Sequence, residues 1–217
     1  MCRIVGLVLL FLSTWFVSLA SAGSTDFDAF TPEYFGPSDF ITHCPLISPT
    51  VRPADNCASQ GGGFDAIRSS GPHLALDLET ISPNGVVFAA APGSVVLVGS
   101  QDQWKQMGNV VVVEHKDRHF TLYGHLGQVA VTEGTEVQGG QKLGTIGYSG
   151  NAACLLSNRL PKHLHFAVFR SVAQSDFPQA RPISHWKQEG EAIPDHFGVV
   201  GPLNPSRRLA AIPGCLH

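Results

Sequence analysis

The stretch NVVVVEHKDRHFTLYGHL, Asn109 to Leu126, constrains the fold more than any other part of the chain. Two runs rich in β-branched and aromatic residues flank Lys116-Asp117, which is the pattern of a β-hairpin. The same grammar extends to both sides. GVVFAAAPGSVVLVG (Gly85 to Gly99) holds two short apolar runs broken at Ala91-Pro92-Gly93. VTEGTEVQGGQKLGTIGYSG (Val131 to Gly150) sets short strands between glycines at turn-like intervals. PKHLHFAVF (Pro161 to Phe169) reads as one more strand. Long helical periodicity is absent. Strands joined by Gly turns predict a mostly β domain over residues 64–170, an antiparallel sheet or barrel-like sandwich.

Composition agrees with a turn-rich β protein: the 217 residues include 23 Gly and 15 Pro. With 43% hydrophobic and 14% charged residues the chain can bury a core, which argues against disorder. A formal net charge of -3 without a basic patch argues against a nucleic-acid partner.

Residues 1–22 read as a secretory signal: Arg3, an apolar stretch from Ile4 to Leu12, and the small residues Ala20-Ser21-Ala22. Cleavage after Ala22 would leave a chain without stable membrane insertion, secreted or in the periplasm or cell envelope; the alternative is a retained membrane anchor, for which the run is short. Residues 23–63 form an N-terminal extension of irregular structure, with Gly61-Gly62-Gly63 as a turn or flexible joint. Residues 171–217 form a Pro-punctuated C-terminal extension wrapping the core. Export places Cys44, Cys57, Cys154 and Cys215 in an oxidising compartment, so two disulfides are expected. Of the three possible pairings, locality favours Cys44–Cys57 and Cys154–Cys215. No C-x-x-C spacing supports a cysteine zinc site.

Three places concentrate chemistry. In HLH, His163 and His165 share one face of a strand, with Leu164 and Phe166 on the other. In YGHL, Tyr123 and His125 fall on one strand face. In HLALD, His73 and Asp77 are four apart, roughly 13 Å along an extended strand, so the backbone must bend for both to meet. A catalytic zinc site uses three protein ligands and keeps one position open. His73, Asp77 and one HLH histidine would make three, leaving His125 and the other HLH histidine for acid–base work. His115 and His119 flank the hairpin turn and read as solvated. His43, His185, His196 and His217 have no ligand spacing. Asp102 and Trp104 lie in a Gln-rich loop, a candidate for lining a substrate groove.

Taken in order, these pieces resemble the lysostaphin-type zinc metallopeptidases that cut peptidoglycan cross-bridges. HLALD matches the family's His-x-x-x-Asp, GNVVVVEHKDRHFTLYGHL its hairpin ending in Tyr-x-His, and HLHF its His-x-His. The resemblance covers about a hundred residues, His73 to Phe169. It implies that one zinc is held by His73, Asp77 and His165, and that His125 and His163 are catalytic. It implies hydrolysis of a peptidoglycan peptide; a monomer is expected. The alternative is a non-catalytic relative of the same fold that binds the wall or activates another wall hydrolase. Two departures bear on this. Ala75 stands where the family has Gly, and the loop before HLH, NAACLLSNRLPK (Asn151 to Lys162), is longer and carries Cys154.

Overall fold

The computed structural model describes residues 40–68, 71–172, 181–188, 190–194, 196 and 198–216. The expected signal, the extension up to residue 39 and His217 lie outside the described residues.

The strands are β1 (Pro49–Val51), β2 (Ile67–Arg68), β3 (Gly71–Pro72), β4 (Leu76–Thr80), β5 (Val86–Phe88), β6 (Gly93–Gly99), β7 (Asn109–Glu114), β8 (His119–Val129), β9 (Glu136–Val137), β10 (Lys142–Ile146), β11 (Leu164–Ser171), β12 (Arg181–Pro182) and β13 (Val199–Leu203). Among the described residues three short α-helices interrupt them: α1 (Ala153–Ser157), α2 (Ile183–Gln188) and α3 (Ser206–Ala210). The main sheet runs β1-β4-β11-β8-β7-β6-β9, with β10 pairing β8 and β5, and β13 pairing β11 and β12. Its pairings are antiparallel. The fold is therefore mostly antiparallel β, and among the described residues the sheet does not close into a barrel.

The hairpin expected from Asn109 to Leu126 is β7 and β8, joined by a single 3-10 turn at Lys116–Arg118. The two runs around Ala91-Pro92-Gly93 are also strands, but they do not pair with each other. β5 joins β10, while β6 joins β7 and β9.

Alternation along β11 divides the core. Leu164, Phe166 and Val168 pack into one cluster with Leu78, Val111 and Tyr123. Ala167 and Phe169 pack into the other with Ala75, Met107, Phe120 and Trp186. His163 and His165 precede Ala167 at the same parity, so both belong to the second face.

Two expectations fail here. His115 and His119 are buried, not solvated. His115 Nδ1 donates to Pro92 O at 2.8 Å, and its Nε2 bonds Thr121 Oγ1 at 2.8 Å. Phe40 packs on both imidazoles. The hairpin tip is folded beneath the Pro92-Gly93 turn, and Gly93 permits it: a Cβ there would sit 2.2 Å from Glu114 O. The disulfides are Cys44–Cys215 and Cys57–Cys154, not the local pairs. The extended strand β1 lies between Cys44 and Cys57. Cys44 instead packs with Cys215, Ile212 and Leu216 of the chain's end, where Arg208 Nε also donates to Ile41 O.

Candidate metal centre

His73 follows β3 and Asp77 lies in β4, with the chain bending at Ala75 between them. That bend removes the extended-strand separation: His73 Nε2 lies 3.2 Å from Asp77 Oδ1. Ala75 is fully buried in the second core cluster, so its methyl fills space and does not crowd the loop. The β4–β11 register then sets Asp77 directly beside His165. His165 Nδ1 lies 3.3 Å from Asp77 Oδ1 and 3.2 Å from His73 Nε2. All three residues are buried.

Donor atoms 3.2–3.3 Å apart fit a single small cation. A tetrahedral zinc with bonds of about 2.0–2.1 Å spaces its ligand atoms about 3.3 Å apart. Two imidazole nitrogens and one carboxylate oxygen also match zinc's ligand chemistry. Among the described residues this is the group of His, Cys, Asp and Glu with such convergence.

Each donor is held from behind. His73 Nδ1 donates to Gly63 O at 3.1 Å, which leaves Nε2 facing the centre. Asp77 turns Oδ1 to the histidines and Oδ2 to Arg68, whose Nη2 donates to it at 3.0 Å. Arg52 Nη1 stands 3.8 Å from the same oxygen. His165 Nε2 lies 3.4 Å from Glu191 Oε1. Gly61-Gly62-Gly63 is thus a brace and not a flexible joint: Asp77 N donates to Gly62 O at 2.8 Å, and a Cβ on Gly62 would fall 2.5 Å from Asp77 Cβ.

His125 reaches the centre by a route that simple alternation does not give. Opposite β7, Asn109 pairs Leu126 and Val111 pairs Tyr123, so β8 carries one extra residue at Gly124-His125. His125 takes a left-handed φ of 59°. Tyr123 and Leu126 both stay in the first core cluster, while His125 turns to the opposite face. Its ring centroid is 4.8 Å from that of His163 and 5.7 Å from that of His165. His125 Nδ1 donates to Ser149 O at 3.1 Å, which leaves Nε2 as the free acceptor. Tyr123 and His125 are therefore not on one face; the phenol instead bonds Thr121 and the Ala90 amide inside the core. His163 completes the group, with Nε2 3.4 Å from Asp77 Oδ1 and Nδ1 buried without a hydrogen-bond partner among the described residues.

The electrostatics favour a cation at this point. Burial alone would raise the Asp77 carboxyl, but the charge of His163 and hydrogen bonds from His163, His165 and His73 hold it well below its usual range. Burial opposes a charge on His165, yet Glu191 and Asp77 outweigh it and push its pKa up to about 10. Burial and the charges of His163 and His165 hold His125 well below the imidazole range.

All five residues singled out from the sequence come together. The sequence reading missed Arg68, Arg52, Gly63 and Glu191. Gly63 was visible as part of a glycine run; Glu191 sits in a stretch without any period. His43, His185 and His196 are exposed and outside this group. Asp102 is exposed, and Trp104 packs against Gly99 and the second core cluster. The loop Asn151 to Lys162 forms α1, and Cys57–Cys154 ties it to the segment that braces Asp77.

The model of peptidase family M23 matches residues 68–177, just over half of the chain. The chain is 26% identical over 136 residues to the murein hydrolase activator NlpD of Salmonella dublin, covering 55% of this chain and 35% of that protein. It is 32% identical over 119 residues to the peptidoglycan DD-endopeptidase ShyB of Vibrio cholerae, covering 52% and 25%. These matches span little more than a third of the relatives' own length at most. Among solved structures, the catalytic domain of lysostaphin from Staphylococcus simulans superposes with a TM-score of 0.46 at 20% identity, over 69% of this chain and 88% of that one.

Proposed function

The chain belongs to peptidase family M23, and from that premise we propose that it is a zinc metalloendopeptidase hydrolysing peptide cross-links of bacterial peptidoglycan. The observation that carries this reading is the convergence of His73 Nε2, Asp77 Oδ1 and His165 Nδ1 with the imidazoles of His125 and His163 beside them. Three donors leave a position open, and two neighbouring imidazoles suit proton transfer better than a closed structural site requires.

His73, Asp77 and His165 hold the ion. Bound there, zinc supplies the Lewis acidity that polarises a peptide carbonyl and acidifies a water. His125 is oriented by Ser149 O and offers Nε2 to take up a proton. His163 stands over Asp77 with Nε2 and gives the second proton-handling nitrogen. Between them they remove a proton from water, support the developing oxyanion and protonate the leaving amine. The substrate is a wall peptide and the site of action lies outside the cytoplasm, in line with the signal-like residues 1–22 and the peptidoglycan endopeptidase among the relatives. Among the described residues no helix is long and apolar enough to cross a membrane.

The test is release of soluble peptides from purified sacculi by the zinc-loaded protein, with and without a chelator. Chelator-sensitive release with new peptide termini supports the reading. A second reading, activation of another wall hydrolase, draws on the likeness to a murein hydrolase activator. Bound zinc, no release alone, and faster release by an added wall hydrolase would favour it.

A further inference from the structure

Glu191 lies beyond residues 68–177 that the family model matches. It follows α2 and is fixed from both sides. Its amide donates to Trp186 O at 2.9 Å, and Ala192 and Ile193 are fully buried in the second core cluster. Before it, Gly190 takes a φ of 94° and runs so close to Gln106 that a Cβ would meet its Oε1 at 2.3 Å. An anchored turn therefore delivers this carboxylate to the interior, where its side chain is 12% exposed.

Glu191 Oε1 lies 3.4 Å from His165 Nε2. His165 Nε2 and Glu191 Oε2 are both buried with no hydrogen-bond partner among the described residues. The other nitrogen of His165, Nδ1, faces His73 and Asp77. An imidazole that binds a metal through one nitrogen carries its proton on the other, and that buried N–H needs an acceptor. His73 has one in Gly63 O. The acceptor available to His165 is Glu191.

We propose that Glu191 is a positioning residue of the metal centre, taking the Nε2–H of His165 and so fixing Nδ1 as the metal-facing nitrogen. The inference rests on the metal-centre reading given above. It makes the C-terminal segment part of the site. That segment contributes the carboxylate that orients a ligand supplied by the family-matched region.

The experiment uses the full chain stripped of metal, with zinc affinity measured by competition with a chromophoric chelator. Cobalt binding is followed by its visible absorption. Glu191→Ala should weaken zinc binding by about 10–100-fold. Glu191→Gln keeps the shape and an acceptor oxygen but not the charge, so its loss should be smaller. Both should change the cobalt absorption bands, and in the zinc form kcat for peptide release should fall more than KM rises. The metal-free unfolding midpoint of Glu191→Gln should stay at the wild-type value, which separates positioning from folding. Zinc affinity within about two-fold of wild type in both variants, with an unchanged cobalt spectrum, would overturn the proposal. Failure of the metal-centre reading looks different: the wild-type protein itself then binds no zinc, and both inferences fall.

Discussion

Arg68 Nη2 donates to Asp77 Oδ2 at 3.0 Å, on the carboxylate oxygen opposite the one that three histidines share. A carboxylate that swings freely loses entropy when it binds an ion; one held by a guanidinium has already lost it. Arg68→Met should therefore weaken zinc binding by about tenfold, toward the low end of what supporting groups contribute. Chelator competition measures it. Unchanged affinity would mean that Arg52 alone suffices to hold Asp77.

The bulge at Gly124-His125 makes a separate prediction about backbone strain. His125 has a left-handed φ of 59°. Asn visits that region at little cost, whereas a β-branched residue does not. Urea unfolding of His125→Asn should show near wild-type stability, and His125→Val should lose about 1–2 kcal/mol more. Both should lose hydrolytic activity. Equal stability of the two variants would contradict the argument from φ.

His115 ties stability to pH. Burial lowers its pKa from 6.5 to about 4; the Pro92 carbonyl and Glu114 oppose that shift, and His119 adds to it. Between these values the unfolded chain binds a proton that the folded chain does not. Stability is therefore full above pH 6.5 and falls as the pH drops toward 4, by at most about 3 kcal/mol from this group. Urea midpoints measured across this window should fall less steeply in His115→Gln than in the wild type. Parallel slopes would place the acid sensitivity elsewhere.

The disulfide pairing is directly checkable. Non-reducing peptide mapping should link Cys44 to Cys215 and Cys57 to Cys154. The first bridge spans 171 residues, so removing it through Cys44→Ser and Cys215→Ser should cost about 2–5 kcal/mol, read from the urea midpoint. Recovery of Cys44–Cys57 would contradict the structure.

How much of this was legible in the sequence depended on how local the signal was. The β7–β8 hairpin and the shared face of His163 and His165 follow from period-two patterning over a few residues. The four-residue spacing of His73 and Asp77 required only that the chain bend for both to meet, and it bends at Ala75. Position on a face failed where the chain breaks its own period. His125 sits behind an extra residue that no alternation rule reveals, so alternation places it on the wrong face. His115 and His119 look like turn histidines, and only the approach of Pro92 and Phe40 from elsewhere buries them. The Cys44–Cys215 bridge and Glu191 depend on where the last forty residues return, and Cys57–Cys154 on where the loop before β11 packs; those contacts leave no periodic trace. The resemblance to the lysostaphin-type peptidases assigned roles that spacing alone left open between His163 and His165.

The division of labour among the five residues is decided by one variant. Zinc content and wall-peptide release should be measured on the same preparation of His163→Ala. One zinc per chain is expected, as in the wild type, with release slowed by about 10²–10⁴-fold. Loss of the zinc would make His163 a ligand, and undiminished release would remove it from the chemistry; either result would contradict the assignment of His163 to proton transfer.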